Sequence, residues 1–178
     1  MMDYQEENTA SFSHLLEQYK NPVFHYALRM LHNVPEAEDA TQDIFVKIFH
    51  ALPRYKHMGK ISTWIFSIAA NHIKNILRWK KIRFWVPLGE EKFSTVAHAL
   101  AFREIGPEQV HYNRQLQADL NKALESLPYA QKTALLLAKY ENMSIDDIAE
   151  VLKTTPGGVK QLIFRAKISL RKRLAVYH

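Results

Sequence analysis

The amino-acid sequence predicts an all-α protein made of two small helical domains and a linker between them. Apolar residues recur at three- to four-residue spacing along most of the 178 residues, which is the period of an amphipathic helix. No segment alternates apolar and polar residues between turn signals, as a half-buried strand does. A linker is predicted because Pro87, Gly89, Gly106 and Pro107 bracket a stretch that interrupts the helical pattern.

Four helices are predicted before the linker. Asn21 and Pro22 have the residue types of an N-cap and first turn, and therefore predict that the first helix ends there and a second begins. Residues 33–35 begin a third helix in the same way. Pro53 ends that helix because proline cannot continue the hydrogen-bond ladder. After a loop, a long fourth helix is predicted from about residue 62 to about residue 83.

The last third of the chain has the pattern of a helix-turn-helix. Ser144 is a predicted N-cap, and a short helix follows it to residue 152. After the short turn at residues 153–154, Thr155 caps a second helix, with Val159 and Ile163 facing inward. In a recognition helix, outward polar residues near the N-terminus reach base edges and basic residues contact phosphates. The outward or flanking residues here are Lys160, Gln161, Phe164, Arg165 and Lys167.

Composition excludes several classes of function. The chain has no cysteine, so it has no disulfide and no thiolate metal site, and its five glycines are not spaced as a phosphate-binding loop. The nine histidines are scattered without metal-ligand spacing. We therefore expect no catalytic residue, metal or cofactor. No apolar run approaches the roughly 20 residues that span a bilayer, and the N-terminus is acidic, so a cytoplasmic protein is expected.

Charge is distributed unevenly along the chain. Residues 1–50 hold 3 basic and 8 acidic residues, a net charge of −5. Residues 51–92 hold 9 basic and 2 acidic residues, a net of +7, and residues 93–178 hold 12 and 8, a net of +4. Two basic segments indicate a polyanion held at two places, and the acidic segment indicates a different partner.

The long fourth helix carries polar and aromatic residues suited to unpaired nucleic acid. Asn71, Asn75 and Arg78 are spaced i, i+4 and i+7 and therefore share one face. Amide and guanidinium groups bond base edges, and aromatic rings such as that of Trp64 stack on unpaired bases. Two structural interpretations stay open: Trp64 packs in the core, and Asn71 forms hydrogen bonds within the helix. The acidic face of the third helix is likewise either a solvated surface or a docking surface.

The order of these features resembles that of a known family. Residues 38–49 (EDATQDIFVKIF) and 62–71 (STWIFSIAAN) resemble region 2 of the extracytoplasmic-function (ECF) group of bacterial RNA polymerase sigma factors. Residues 124–128 (LESLP), 143–152 and 156–167 resemble region 4 of that group. Both motifs, in this order and at this separation, indicate membership more strongly than either alone.

The resemblance implies a dissociable subunit that gives RNA polymerase its promoter specificity. Residues 1–83 correspond to region 2, residues 84–110 to a linker and residues 111–178 to region 4. The implied partners are core RNA polymerase, through its largest and second-largest subunits, promoter DNA and an inhibitory anti-sigma factor. The resemblance further implies a chain that is monomeric when free and has no cofactor and no catalysis of its own.

The resemblance also assigns site residues by position. Docking to the polymerase falls to Asp39, Gln42, Asp43 and Phe45. The resemblance assigns melting and recognition of the −10 promoter element to Tyr55, Trp64, Asn71, Asn75, Arg78, Lys80 and Lys81. Recognition of the −35 element falls to Thr155, Gly157, Lys160, Gln161, Phe164 and Arg165.

Three positions depart from the family pattern, and two other classes of protein remain as alternatives. Gly158 stands where the family often has Thr, Leu162 where it often has Arg, and Asn75 where Asp is common nearby. One alternative is a stand-alone helix-turn-helix regulator, which would dimerise on closed DNA. The other is an adaptor that mimics this fold without reading DNA.

Overall fold

The computed structural model describes residues 2–55, 59–85 and 118–175, and every regular element within them is helical. The all-α fold class is therefore confirmed. Most of the predicted linker and the predicted start of the second domain lie outside the described residues. The helices are α1 (Met2–Leu31), α2 (Val34–Ala51), α3 (Ile61–Trp85), α4 (118–125), α5 (Tyr129–Tyr140), α6 (Ile145–Leu152) and α7 (Pro156–Arg173), with a 3-10 turn at Leu52–Arg54.

Helix α1 is continuous through Pro22, so the prediction that one helix ends and another begins at Asn21 was wrong. A proline inside a helix costs about 3 kcal/mol. Leu15, Val23, Tyr26 and Met30 nevertheless form one buried stripe on both sides of it. Burial of such side chains contributes roughly 1.5–3 kcal/mol each. Packing of this stripe therefore outweighs the local signal.

The first three helices form the N-terminal packing unit. Asn33 caps α2 as predicted, because its side-chain oxygen accepts a hydrogen bond from the Glu36 backbone N–H at 2.9 Å. Helices α1 and α3 meet at an edge-to-face ring pair of Tyr26 and Phe66, whose centroids are 5.8 Å apart. The buried residues of α3 are Thr63, Ile65, Phe66, Ala69, Ala70 and Ile73.

Helices α6 and α7 form the predicted helix-turn-helix. Ser144 and Asp147 make a reciprocal capping box at the start of α6. Lys153, in the left-handed conformation, ends α6, and the Thr154 N–H donates to the Ala149 carbonyl at 2.9 Å. Thr155 then caps α7 by accepting from the Gly158 N–H at 3.1 Å. These caps set the sharp turn between the two helices.

The two units pack against each other, which the sequence analysis did not anticipate. Helix α5 contacts α1, and α6 contacts α3, within one continuous apolar core. The hydroxyls of Tyr26 and Thr133 lie 3.3 Å apart, and the Tyr129 hydroxyl donates to the Ala70 carbonyl at 2.6 Å. We refer to this arrangement as the closed form.

Candidate nucleic-acid interface

One face of α3 carries the polar stripe that the sequence predicts. Asn71 and Arg78 are exposed and Asn75 is half-buried, while the opposite face of the helix packs into the core. Trp64 lies seven residues before Asn71 and therefore shares this face. From Trp64 to Arg78 the stripe is about 21 Å long at 1.5 Å per residue. It can therefore contact several nucleotides in a row.

Tyr55 and Trp64 form an aromatic corner at the base of this stripe. Their ring centroids lie 4.7 Å apart with the planes inclined by 37°. The Tyr55 hydroxyl donates to the Gly59 carbonyl at 3.3 Å, where Gly59 has a φ of +95° that suits glycine. Both residues are half-buried, so Trp64 packs against the core and also stays partly exposed to solvent.

The basic end of α3 is only partly available to a ligand. Lys81 is exposed, and Arg78 lies over the ring of exposed Trp79 at 5.9 Å. Lys80 instead donates to the Glu36 carboxylate at the start of α2. Lys80, which is predicted to contribute to −10 recognition and melting, therefore has its charge paired with the acidic first turn of α2. Trp79, whose side chain is 58% exposed, is an aromatic residue of this surface that was not among the predicted site residues.

Helix α7 presents the predicted outward face. Lys160, Gln161 and Arg165 are exposed, and Phe164 is 64% exposed, whereas Val159 and Ala166 on the opposite side are fully buried. Gly157 is exposed in the first turn, beside the Thr155 cap. All six residues predicted for the −35 element therefore lie on or beside one solvent-facing surface of α7.

The two departures in α7 have structural correlates. A Cβ at Gly158 would lie 2.8 Å from the Thr154 hydroxyl oxygen and 3.3 Å from that of Thr155. Gly158 thus leaves room for the capping hydroxyl of Thr155 and for the Thr154 side chain, at a cost of about 1 kcal/mol in helix propensity. Leu162 is half-buried and packs against the core. It therefore stabilises the helix-turn-helix rather than facing a ligand.

Helix α2 presents an acidic surface with exposed apolar residues beside it. Asp39, Gln42 and Asp43 are exposed, as predicted for a docking surface. Phe45 is not: it is 5% exposed, and its ring packs edge-to-face on Phe12 of α1. The prediction that Phe45 lies on this surface is therefore corrected.

The exposed apolar residues of α2 are Val46 and Phe49, at 55% and 45% exposure. They lie at i, i+3 spacing, just outside the buried stripe of α2. The sequence signal that could have identified them is an apolar pair that continues past the edge of that stripe. Exposed residues of this kind beside acidic ones are typical of a protein interface.

A small charged cluster connects the acidic surface with α3. His72 lies between Lys47, which contacts its Nδ1 atom, and Asp43, whose carboxylate oxygen is 3.5 Å from its Nε2 atom. Burial and the nearby Lys47 ammonium lower the pKa of His72, while Asp43 opposes the shift. A neutral His72 leaves the negative charge of Asp43 available to a basic partner.

The start of α6 is held on the loop that precedes α3. The Asp147 carboxylate accepts from Lys60 Nζ at 2.7 Å, from the Thr63 hydroxyl at 3.2 Å and from the Ser144 hydroxyl at 2.6 Å. These hydrogen bonds, that from Lys60 first, lower the pKa of Asp147 to about 2. The helix-turn-helix therefore contacts the chain between Tyr55 and Trp64, two of the residues predicted for the −10 element.

Two further properties of the described helices concern membranes and metal ions. Within residues 2–55, 59–85 and 118–175, no helix is both long and apolar enough to cross a membrane. The same residues contain no group of three or more His, Asp or Glu side chains placed to hold a metal ion.

Fold and surfaces together define a two-part helical protein that carries a helix-turn-helix and a second, aromatic and polar face suited to nucleic acid. The family models for sigma-70 region 2 and sigma-70 region 4 match residues 15–82 and 117–170. The RNA polymerase sigma-H factor of Pseudomonas aeruginosa is 30% identical over 173 residues, covering 96% of this chain and 89% of that protein. The chain belongs to the ECF RNA polymerase sigma factors.

Further comparisons agree with this assignment. The ECF RNA polymerase sigma factor SigW of Bacillus subtilis is 28% identical over 167 residues, which cover 92% of this chain and 89% of SigW. Among solved structures, the sigma factor RpoE bound to the anti-sigma factor NepR from Bartonella quintana has a TM-score of 0.71 at 20% identity, with all of both chains covered. CnrH bound to the cytosolic domain of CnrY has a TM-score of 0.69, covering 94% of this chain and 90% of CnrH. At this identity the two structures show likeness of fold.

Proposed function

We propose that this sigma factor binds core RNA polymerase and directs it to promoters by reading a −35 element with α7 and by melting a −10 element with α3. The observation that carries the proposal is the presence, in one chain, of a capped recognition helix and a polar, aromatic helix face. The first suits closed duplex and the second suits unpaired bases. A protein that only binds closed DNA needs no second face of this kind.

Recognition of the −35 element rests on the exposed residues of α7. Lys160 and Arg165 supply charge for phosphates or guanine edges, and the Gln161 amide suits an adenine edge. Exposed Phe164 provides an apolar contact of the kind that thymine methyl groups make. Phosphate attraction makes this binding dependent on salt.

Opening of the −10 element rests on the face of α3. Flipping a base out of the stack costs a few kcal/mol. Each base stacked on an aromatic ring recovers roughly 1–3 kcal/mol. Asn71 and Asn75 offer amide groups to the extruded base, while Trp64 and Trp79 offer rings to its neighbours.

Docking to the largest polymerase subunit rests on α2. The acidic residues Asp39 and Asp43 attract a basic surface, and Val46 and Phe49 are the apolar residues that such an interface would bury. The second-largest subunit is the proposed partner of the last helix, and the chain acts in the cytoplasm, where the polymerase is. The polymerase supplies the bond-making chemistry, and an anti-sigma factor is the proposed inhibitor because the structural neighbour RpoE was solved in complex with one.

We expect the isolated chain to bind promoter duplex weakly. Without the polymerase as a scaffold, binding has to order two units on a linker, and that entropy opposes association. In a gel-shift titration, a promoter fragment should shift at far lower protein concentration when core polymerase is present. Tight, specific binding by the chain alone, as a dimer in solution, would favour the stand-alone regulator instead.

Asn71→Ala should impair promoter opening about tenfold or more while leaving polymerase binding unchanged. The expected loss is one base-edge contact of about 1–3 kcal/mol. Permanganate reactivity of unpaired thymines measures the opening, and fluorescence anisotropy with core polymerase measures the binding. Ser67→Ala, on the same helix, is the matched control, since the Ser67 hydroxyl is bonded to the Thr63 carbonyl within α3. Equal losses in both assays would mean that Asn71 is structural.

A further inference from the structure

The closed form cannot occupy both promoter elements at once. If the proposed function is correct, elements near −35 and −10 lie about 25 base pairs apart, roughly 85 Å along B-DNA at 3.4 Å per pair. A compact body of this length has a radius of gyration of about 16 Å. The closed form places α6 directly on α3. The two units therefore have to separate before both elements are read.

Lys132 lies at the contact between the two units, where separation would expose it. The residue is 5% exposed in the closed form, on the face of α5 that packs against the end of α1. Its ammonium donates to the Met30 carbonyl at 3.3 Å and to the His32 Nε2 atom at 2.7 Å. In the described part of the chain, both hydrogen-bond partners are uncharged groups. A buried cation without a bonded carboxylate is costly.

Charged groups of α4, α3 and α2 lie near this pair at longer range. His32 itself follows α1, and its Nδ1 atom is 3.7 Å from the Glu125 carboxylate of α4, which is largely exposed. Lys80 of α3 adds a second positive charge near His32, and Glu36 of α2 neutralises Lys80 locally. Since Lys132 donates to His32 Nε2, the proton of the neutral ring belongs on Nδ1. Protonation of Nε2 would remove this hydrogen bond and place two cations together.

We propose that the buried ammonium of Lys132, set against a neutral His32, is an opening device that keeps the closed form close to separation and makes the balance between closed and open forms depend on pH. Such a device needs titratable groups that bridge the two units and that are desolvated only in the closed form, and the geometry supplies both. The hydrogen bond between Lys132 and His32 joins the two units, and both side chains become hydrated when the units separate. A purely apolar contact at this position would hold the units together at every pH.

The directions of the pKa shifts of Lys132 and His32 agree with this proposal. Burial lowers the pKa of Lys132 from its ordinary 10.5 to about 8 in the closed form. Burial, with Lys132 and Lys80, lowers the pKa of His32 from 6.5 to about 4. A lowered pKa means that protonation favours the open form. Closing is therefore strengthened as pH rises from about 8 toward 10.5 and weakened as pH falls from about 6.5 toward 4.

The size of the effect follows from these values. Between pH 7 and pH 9, the Lys132 shift raises the equilibrium constant for closing about tenfold. Between pH 7 and pH 5.5, the His32 shift lowers it about eightfold. The two effects act in the same sense, because protonation of either Lys132 or His32 favours opening. The closing constant therefore changes on both sides of neutral pH: it rises at alkaline pH through Lys132 (the alkaline rise) and falls at acidic pH through His32 (the acid limb).

Energy transfer between dyes on the two units tests the proposal. The chain has no cysteine, so Glu38→Cys on α2 and Lys172→Cys on α7 give two unique labelling positions, both exposed. Transfer is measured on the free full chain from pH 5.5 to pH 9, with circular dichroism confirming that the helices persist. Transfer should rise above pH 8 and fall below pH 6.5. A flat profile would overturn the proposal.

Three substitutions separate the device from simple packing. Lys132→Met should raise the closing constant about tenfold or more at pH 7 and abolish the alkaline rise, because no charge remains. Lys132→Arg, which keeps its charge throughout, should abolish the rise while leaving the chain more open. His32→Asn should remove the acid limb alone, since asparagine tolerates the positive φ of 56° found there.

The proposal fails if Lys132→Met leaves both the transfer at pH 7 and its alkaline rise unchanged. It also fails if that variant opens the chain, because Lys132 would then be a stabilising contact. The measurement uses neither polymerase nor DNA. A failure of the proposed function would appear only in the transcription assays and not here.

Discussion

Replacing Lys160 and Arg165 together by glutamate should lower promoter-directed transcription by about a hundredfold or more. Both side chains are exposed on the outward face of α7, and each is placed for a base-edge or phosphate contact of about 1–3 kcal/mol. Reversal of the charge also adds repulsion from the DNA backbone. Run-off transcription by core polymerase on a responsive promoter measures the effect, and its dependence on salt should weaken in parallel.

A charge-matched control separates this loss from a general electrostatic effect. Lys20→Glu and Lys139→Glu change the net charge equally, at exposed positions on α1 and α5 that lie off the recognition helix. That variant should retain most of its activity. Comparable losses in the two double variants would mean that α7 does not read DNA, and would favour an adaptor that only mimics this fold.

Replacing Val46 and Phe49 by aspartate should weaken binding to core polymerase by several hundredfold or more. Central apolar residues of an interface often contribute 2 kcal/mol or more each, and a buried aspartate would add a desolvation cost. Both side chains are exposed, but the Phe49 ring also packs edge-to-face on Phe12, so circular dichroism has to show that the variant keeps its helices. Fluorescence anisotropy of labelled protein titrated with core polymerase, without DNA, measures the affinity.

The control for this surface is Ile82→Asp, which places a charge on an exposed apolar residue near the end of α3. It should leave polymerase affinity within about threefold, because a surface substitution away from an interface changes binding by less than about 0.5 kcal/mol. If the α2 variant binds normally, docking has to be assigned to another surface.

Local features of this fold could be predicted from the sequence because short-range hydrogen bonds determine them. Asn33, Ser144 and Thr155 each satisfy backbone N–H groups within three residues, and all three act as caps in the structure. Pro22 shows where such reasoning fails. Its local signal is strong, but the stripe of α1 is continuous and its burial is decided by α2 and α3, which lie far away in sequence.

The sequence also could not predict how α2 is rotated about its own axis relative to its neighbours, which decides which of its apolar residues are buried. Phe45, Val46 and Phe49 are all apolar residues at the edge of one stripe, and the pattern alone does not say which of them is covered. Phe12 of α1 packs edge-to-face on both Phe45 and Phe49, with ring centroids 6.4 and 5.1 Å away, yet Phe45 is 5% exposed and Phe49 stays 45% exposed. Periodicity identifies a face to within about one residue, and the tertiary partner decides the rest.

Packing between the two units could not be predicted because its contacts join residues about 60 to 107 positions apart. Tyr26 with Thr133, and Tyr129 with Ala70, have no local signature. From the sequence alone, Lys132 would be predicted to be an ordinary solvated lysine on an amphipathic helix. Only the closed form reveals it as a buried charge.

The central claim is that this chain gives core polymerase its choice of start site. Run-off transcription by core polymerase on a library of genomic fragments, with and without the chain, tests that claim most directly. New, discrete start sites should appear only when the chain is added, preceded by shared sequence elements near −35 and −10. Identical transcripts in both reactions, with a chain known to bind the polymerase, would contradict it.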